Sequence, residues 1–205
     1  MTLFPLFLKL EHKRVVVVGG GAIAERKIEG LLSAGARVRV IAPQITRQIA
    51  EWARFRKVDW LPKEFAAGDL EGASLVVAAT AAPGVNRAVF TEAESKKILC
   101  NAVDDVENCH FYYGAIVQRG DLQVAISTNG KSPALAQRIR KELEEEYPAE
   151  YGVWLDWLGA AREILRADST DPEQTKALLH QLATHECFDR FVRQSRTVAP
   201  QKEVA

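Results

Sequence analysis

A run of β-branched residues ending in three consecutive glycines constrains the fold of this chain more than any other feature. Arg14–Val18 reads RVVVV, which is typical of a strand buried on both faces of a parallel sheet. Three glycines, Gly19 to Gly21, follow at once, and apolar residues then recur at helical spacing over residues 22–34. A strand, a glycine turn and a helix in this order predict the first unit of a Rossmann-like sheet.

The same alternation continues to about residue 112. It predicts strands at 38–41, 58–62, 75–79 and 98–103 and helices at 44–54 and 86–97. Strands that alternate with helices indicate a parallel sheet with right-handed crossovers. Beyond it we predict a hairpin at 115–117 and 122–127, a helix after Ser132 and Pro133, and helices at 151–167 and 172–196. The predicted organisation is an α/β domain at 1–112, a small segment at 113–148 and a helical domain at 149–205.

The glycine turn matches the dinucleotide fingerprint in its G-x-G-x-x-A form, as Gly19, Gly21 and Ala24. The first glycine permits the tight turn, the second lets the backbone approach a pyrophosphate, and the small third residue packs the helix on the strand. Amides at the helix start, Ala22 and Ile23 included, are donors for phosphate. A turn with a purely structural role is the alternative.

The acid that usually binds the ribose hydroxyls at the end of the second strand is missing from residues 41–43. We therefore expect the adenosine side to be met by Ala42, Pro43 and Gln44, through backbone groups or the Gln44 side chain. Arg37 and Arg39 precede the strand end, so a 2'-phosphate is not demanded. The predicted cofactor is NAD rather than NADP.

Ligands of open α/β sheets bind beyond the carboxyl ends of the strands, which here are followed by Thr80 and Asp104. Thr80 is a candidate cofactor contact. Asp104 is the candidate catalytic acid or base, since a carboxylate beside a nicotinamide can take a proton while a hydride leaves. The alternative is that Asp104 and Asp105 both cap a loop.

Residues 113–141 carry five basic residues and one acid, Asp121, a local charge of +4 that suits a polycarboxylate ligand. The basic residues are Arg119, Lys131, Arg138, Arg140 and Lys141. Four glutamates at 142–146 follow at once, so pairing along the helix is an equal alternative. The three cysteines form no CxxC pair, and the Cys/His pairs supply two donors each, so we predict neither a disulfide framework nor a metal site.

The chain has 27 Lys+Arg and 27 Asp+Glu, and this balance gives no chain-wide attraction to nucleic acid or to an anionic membrane. No apolar run approaches the roughly 20 residues of a membrane span. The first ten residues lack the leading positive charges and cleavage site of a signal peptide. We expect a soluble, cytoplasmic protein with no nucleic-acid or membrane partner.

Several motifs together carry a resemblance to a known family. They are Pro5 to Leu8, Val15 to Gly21, Ala24 to Lys27, Val40 to Pro43, Ala78 to Thr80, Cys100 to Asp104 and Ile126 to Ala136. Over roughly residues 3–145 the chain resembles the precorrin-2 dehydrogenases, the siroheme-synthase enzymes, some of which also insert iron as sirohydrochlorin ferrochelatases.

The resemblance implies an NAD-binding Rossmann domain, a dimerisation segment at 113–148 and a homodimer that binds a tetrapyrrole. It implies NAD-dependent oxidation of precorrin-2 to sirohydrochlorin, with Asp104 tied to dehydrogenation and, where present, to chelation. The implied substrate-binding residues are Thr128, where some members have serine, and Asn129, Lys131, Ser132, Arg119 and Arg138. We predict weak or absent ferrochelatase activity. The competing class is a non-catalytic, NAD-sensing Rossmann dimer.

Overall fold

The computed structural model describes residues 3–169 and 171–198. The chain divides into two compact units, one spanning Phe4–Tyr113 and one that begins at Gly114. The domain boundaries suggested by the sequence, after residues 112 and 148, remain predictions. No helix within the described ranges is long and apolar enough to cross a membrane.

The first unit is a five-stranded parallel sheet with helices between its strands and the order β3-β2-β1-β4-β5. Its elements are β1 Arg14–Val18, α1 Ala22–Ser33, β2 Arg37–Ile41, α2 Arg47–Arg54, β3 Val58–Leu61, β4 Leu75–Ala78, α3 Pro83–Lys96 and β5 Leu99–Ala102. A short 3-10 helix, Val106–Asn108, follows β5. The predicted Rossmann-like α/β fold is confirmed.

The middle strand β1 is apolar because both of its faces are covered. Val15 and Val17 lie in one buried cluster with Ile28 of α1, and Val16 and Val18 lie in a second cluster with Val89 of α3. All six side chains are at most 2% exposed. Each contributes about 1.5–3 kcal/mol by leaving water, which fixes β1 and thus the glycine turn at its end.

Among its described residues the second unit contains an antiparallel hairpin and four helices: β6 Ala115–Arg119, β7 Leu122–Ile126, α4 Pro133–Glu146, α5 Glu150–Asp168, α6 Pro172–Leu182 and α7 His185–Val198. The single helix predicted over 172–196 is wrong, since it is broken after Leu182. Thr184 causes the break locally, because its hydroxyl accepts the amide of Cys187 at 3.4 Å and starts a new helix. No proline or glycine marks this point, so the helical spacing continues through it.

Candidate functional site

The turn after β1 has two glycines that no larger residue can replace without movement of the backbone. Gly19 has φ +118°, and a Cβ built there would lie 2.3 Å from the Ala79 carbonyl oxygen. A Cβ on Gly20 would lie 2.1 Å from the Gln44 carbonyl oxygen. The Gly19 amide donates to Ile41 O and the Gly20 carbonyl accepts from Thr46 N, both at 2.9 Å. The turn is thus held between the loops that follow β2 and β4.

Gly21 differs from its two neighbours, because a Cβ there would meet no atom within 4 Å. No contact with the described residues therefore requires glycine at this position, whereas a ligand that approaches the backbone would. The dinucleotide fingerprint predicted that Gly21 faces the ligand, but it left Gly20 as an unspecified position of the motif. The run of three glycines is the sequence signal that marks Gly20.

The first turn of α1 carries amide donors without helical acceptors. The helix begins after Gly21, which has no side-chain cap, and its first helical hydrogen bond joins the Glu25 amide to Gly21 O at 2.9 Å. The amides of Ala22, Ile23 and Ala24 precede that bond and, with the helix dipole, can hold a phosphate. The Ala24 side chain is fully buried against the sheet, as a small third residue requires.

The end of β2 presents backbone rather than a carboxylate. Ala42 is buried, and its carbonyl accepts the Trp60 indole N–H at 2.9 Å, while Pro43 and Gln44 are exposed. Arg37 is the first residue of β2 and lies at the opposite end of the strand. Arg39 is bonded to Asp59 through Nε and Oδ2 at 2.7 Å. Neither arginine is at the strand end where a ribose 2'-phosphate would bind.

The loop after β4 is fixed by a side chain that the sequence reading missed. Asn86 of α3 is 6% exposed; its Oδ1 accepts the Thr80 hydroxyl at 2.8 Å and its Nδ2 donates to Thr80 O at 3.1 Å. The Ala82 amide in turn donates to the Thr80 hydroxyl oxygen at 3.2 Å. Thr80 is therefore held rigidly against α3, and a buried polar residue in an amphipathic helix is the signal that marks Asn86.

Asp104 and Asp105 follow β5 and have different environments. Asp105 Oδ2 accepts the Asn108 Nδ2 at 2.6 Å, a bond between side chains at the two ends of the 3-10 turn. Asp104 is exposed, has φ +60°, and makes no side-chain hydrogen bond or ion pair with the described residues. The Asp105 carboxylate is thus bonded within its own loop, while the Asp104 carboxylate remains available for chemistry.

Lys27 is the basic residue whose charge interacts with that of Asp104. Lys27 lies in α1, with its ammonium nitrogen 3.5 Å from the centroid of the Tyr113 ring, a cation–π contact. Burial lowers the pKa of Lys27 below its usual value, Arg26 lowers it further, and Asp104 opposes both. Burial also raises the pKa of Tyr113 to about 12. The motif Ala24 to Lys27 included Lys27, but its position in the helix did not distinguish it from an ordinary solvent-exposed lysine.

His110 is held away from Asp104 by two hydrogen bonds. Its Nδ1 accepts the Cys100 amide at 2.9 Å, so Nε2 bears the proton and donates to Glu94 Oε1 at 2.6 Å. The ring also packs on Phe90 of α3, with centroids 5.0 Å apart. These contacts lie on the α3 face of the sheet, whereas Lys27 belongs to α1. Asp104 and His110 therefore do not form a pair.

In the second unit, residues 127–132 form a tight turn before α4. The Thr128 hydroxyl oxygen accepts the Ser132 amide at 3.2 Å, and the Ser132 hydroxyl oxygen accepts the Leu135 amide as the helix cap. Asn129 and Gly130 have φ +53° and +74°. Thr128 thus has a definite role in the turn that its hydroxyl explains, and its extra methyl group leaves that role intact.

Several basic side chains of the cluster at residues 113–141 are already bonded to other groups of the protein. Arg119 donates from Nε to Tyr147 O at 2.7 Å and from an Nη to Glu144 O at 3.0 Å, and so caps the end of α4. Arg138 pairs with Glu142 at 3.5 Å, and Arg140 pairs with Glu144. Helix-surface pairing therefore accounts for a large part of the cluster, while Lys131 remains exposed in the turn. Within the described ranges, no three His, Cys, Asp or Glu side chains are grouped to hold a metal.

The parallel sheet, the glycine turn and the open start of α1 together define a Rossmann-type dinucleotide-binding protein. The chain belongs to the NAD(P)-binding family NAD_binding_7, whose model matches residues 6–115. A second model, the sirohaem biosynthesis protein central domain, matches residues 119–146. The NAD(P)-type cofactor predicted from the glycine motif is thereby confirmed at the level of the family.

Curated relatives of this chain are named siroheme synthases. A siroheme synthase of Chromobacterium violaceum is 42% identical over 83% of this chain, and siroheme synthase 3 of Aeromonas hydrophila is 41% identical over 82%. The chain spans 36% of the length of each. Among solved structures, SirC, a precorrin-2 dehydrogenase, matches with a TM-score of 0.81 and 29% identity over 95% of this chain and 96% of its own. The predicted resemblance to the siroheme synthases is confirmed.

Proposed function

We propose that this chain is an NAD-dependent precorrin-2 dehydrogenase that forms sirohydrochlorin for siroheme synthesis. One observation supports this most strongly: a glycine turn with an open ligand-facing position stands at the same edge of the sheet as an unbonded carboxylate, Asp104. The first feature suits a dinucleotide and the second suits a proton acceptor. The similarity to SirC over nearly the whole of both chains supports the substrate.

The proposed cofactor contacts follow the sequence prediction. Gly21, Ala22, Ile23 and Ala24 bind the pyrophosphate through amide donors, while Gly19, whose own amide is bonded to Ile41 O, shapes the turn that the pyrophosphate contacts. The adenosine side is met by Ala42, Pro43 and Gln44, and Thr80 borders the nicotinamide. We propose NAD rather than NADP because the end of β2 carries no basic side chain, Arg39 being bonded to Asp59.

The reaction removes two electrons and two hydrogens from the macrocycle. A hydride and a proton leave precorrin-2, and NAD, when bound, supplies the hydride acceptor. Asp104 takes the proton, a role that its exposed and unbonded carboxylate allows. Lys27 is a positioning residue, whose ammonium fixes the electrostatic field around Asp104 and is itself held over the Tyr113 ring.

We propose Thr128, Asn129, Lys131 and Ser132 as substrate-binding residues, supported by a turn that is fixed by its own hydrogen bonds and ends in an exposed lysine. Precorrin-2 carries eight carboxylates, which suits basic side chains. Arg138 is 69% exposed at its side chain and stays a proposed contact. For Arg119 we propose a smaller role, because most of its guanidinium faces backbone carbonyls.

We also propose that the chain acts as a homodimer through residues 113–148. The hairpin has only two strands, and within the described ranges both of its edges lack a partner strand. Two-stranded sheets are marginal alone, and unpaired edges are where a second chain adds. Ile116 on the outer face of β6 is 48% exposed, in support of this surface. A cytoplasmic location is proposed because all three cysteines are free thiols.

Ferrochelatase activity is proposed to be weak or absent. His110, the imidazole nearest in sequence to Asp104, is already bonded to Glu94 and to the Cys100 amide. Asp104 therefore has no imidazole partner to share the binding of a divalent ion or the pyrrole protons.

The experiment is an assay of sirohydrochlorin formation from precorrin-2 with the full chain, with NAD, with NADP and without cofactor. We expect formation with NAD, at least tenfold slower formation with NADP, and none without cofactor. Adding ferrous ion and sirohydrochlorin without NAD tests chelation, for which we expect a rate near the uncatalysed one. A protein that binds NAD but forms no product would instead be a sensor of the kind described above.

A further inference from the structure

A groove of about 910 Å³ lies along the amino-terminal ends of β1, β2 and β3, beside the end of α2. Six basic residues line it, together with one carboxylate, Asp59. The basic residues are Arg14, Arg37, Arg39, Arg54, Arg56 and Lys57. We call this surface the basic groove. Its formal charge is +5, within a chain whose net charge is zero.

Only Arg39 is neutralised by another side chain of the groove, since it is bonded to Asp59. Arg14 donates to the Glu71 carbonyl, a neutral group, at 3.3 Å. Arg37, Arg54, Arg56 and Lys57 make no side-chain hydrogen bond or ion pair with any described residue, and Arg54 lies 5.5 Å from the centroid of the Phe55 ring. Four cations without an anionic partner therefore share one concave surface, where they repel one another.

One local feature adds to this unfavourable arrangement. Arg14 and Arg37 are register partners on adjacent parallel strands, so like charges stand side by side. The empty protein gains nothing from this pairing, whereas a bound anion would compensate it. The left-handed backbone of Arg56, φ +55°, has a separate cause, because it ends α2 with the Lys57 amide donating to Trp52 O at 2.8 Å.

The basic groove is separate from the cofactor site. It lies at the amino end of β1, and the glycine turn lies at the carboxyl end. Four residue steps of about 3.3 Å separate the two ends, so the groove and the turn are roughly 13 Å apart along the strand. A ligand of the groove is thus distinct from the pyrophosphate of NAD.

We propose that the basic groove binds a small polyanion whose phosphate or carboxylate groups are clustered. Guanidinium groups bind both kinds of oxyanion through paired N–H donors, and lysine adds a compact charge. This site is independent of the proposed dehydrogenase activity, because no residue of the groove belongs to the proposed cofactor or substrate contacts.

The test is calorimetric titration of the full chain, saturated with NAD so that the glycine turn is occupied. Inorganic tripolyphosphate is the phosphate probe and citrate is the carboxylate probe. We expect a Kd below about 100 µM for at least one of them at low ionic strength, rising as salt screens the charges. The tighter probe identifies the kind of oxyanion.

The double variant Arg37→Glu/Lys57→Glu should weaken that binding at least tenfold and leave NAD affinity unchanged. Lys9→Glu/Arg162→Glu is the matched control, since it makes the same change of charge at exposed residues outside the groove. If the reversals lower the thermal midpoint, Arg37→Gln/Lys57→Gln replaces them. Equal weakening in the control, or no binding of either probe at millimolar concentration, would overturn the proposal.

Discussion

Substitutions of the consecutive glycines Gly20 and Gly21 should affect different properties. Replacing Gly20 should lower stability, whereas placing a carboxylate at Gly21 should lower NAD affinity and leave stability nearly unchanged. Gly20→Ala places a Cβ 2.1 Å from the Gln44 carbonyl oxygen and 2.8 Å from the Ile45 side chain. The first of these is a backbone atom, so the loop after β2 must move. Overpacking of this kind costs about 1–3 kcal/mol, and since backbone must shift we expect about 3 kcal/mol.

For a chain of this size, about 3 kcal/mol corresponds to a fall of roughly 6–12 °C in the thermal midpoint. Gly21→Asp, in contrast, meets open space, so its thermal midpoint without cofactor should lie within about 2 °C of the wild type. Its carboxylate would stand against the pyrophosphate, and we expect NAD affinity to fall by well over tenfold, more than about 1.4 kcal/mol.

Circular dichroism melting and NAD titration by calorimetry measure the two quantities on the same samples. Gly21→Ser serves as a control for side-chain bulk without charge and should bind NAD better than Gly21→Asp. The reasoning would be refuted by a Gly20→Ala variant as stable as the wild type, or by a folded Gly21→Asp variant that keeps full NAD affinity.

Three further predictions concern the proposed site. Asp104→Ala should bind NAD normally but lose at least about a hundredfold in turnover. Asp105→Ala should instead lower the thermal midpoint and keep its activity. The reverse pattern would contradict the assignment of Asp104 as the proton acceptor. Lys27→Met should raise the thermal midpoint at pH 7, because burial lowers the pKa of Lys27 and disfavours its charged form, yet lower turnover. Thr128→Ser should leave precorrin-2 affinity unchanged and Thr128→Val should weaken it, measured as KM; equal values would exclude the hydroxyl.

The sign of the Lys27 effect follows from its lowered pKa. Below the ordinary lysine pKa the unfolded chain carries the charge at no cost, while the folded protein carries it in a half-buried place. This unfavourable contribution is present at neutral pH and is relieved as the pH rises. The stability gain of Lys27→Met should therefore shrink between neutral and strongly alkaline pH, as followed by thermal melting.

The sheet and its cofactor turn were predictable because their signals are local. The RVVVV strand must be buried on both faces, and the glycines that follow it have few other uses in that position. The break between α6 and α7 was not predictable from spacing, since it depends on one hydroxyl of Thr184 accepting one amide.

The electrostatics of the site could be predicted less well from the sequence, because they depend on contacts between residues that are far apart in the chain. Lys27 becomes distinctive only when the Tyr113 ring packs on it, and the His110 ring is held away from Asp104 only by its bonds to Glu94 and the Cys100 amide. Both facts require the loop after β5 to pack on the sheet. The sequence contained these residues, but no spacing rule connects them.

The proposed dehydrogenation is tested most directly by a single turnover in which enzyme and NAD exceed precorrin-2. Sirohydrochlorin absorbance and NADH fluorescence would be followed together, and Asp104→Ala would serve as the comparison. We predict that one NADH forms for each sirohydrochlorin with a shared rate constant, and that the variant slows both at least about a hundredfold. Sirohydrochlorin that forms without NADH, or NAD that binds and remains oxidised, would contradict the account.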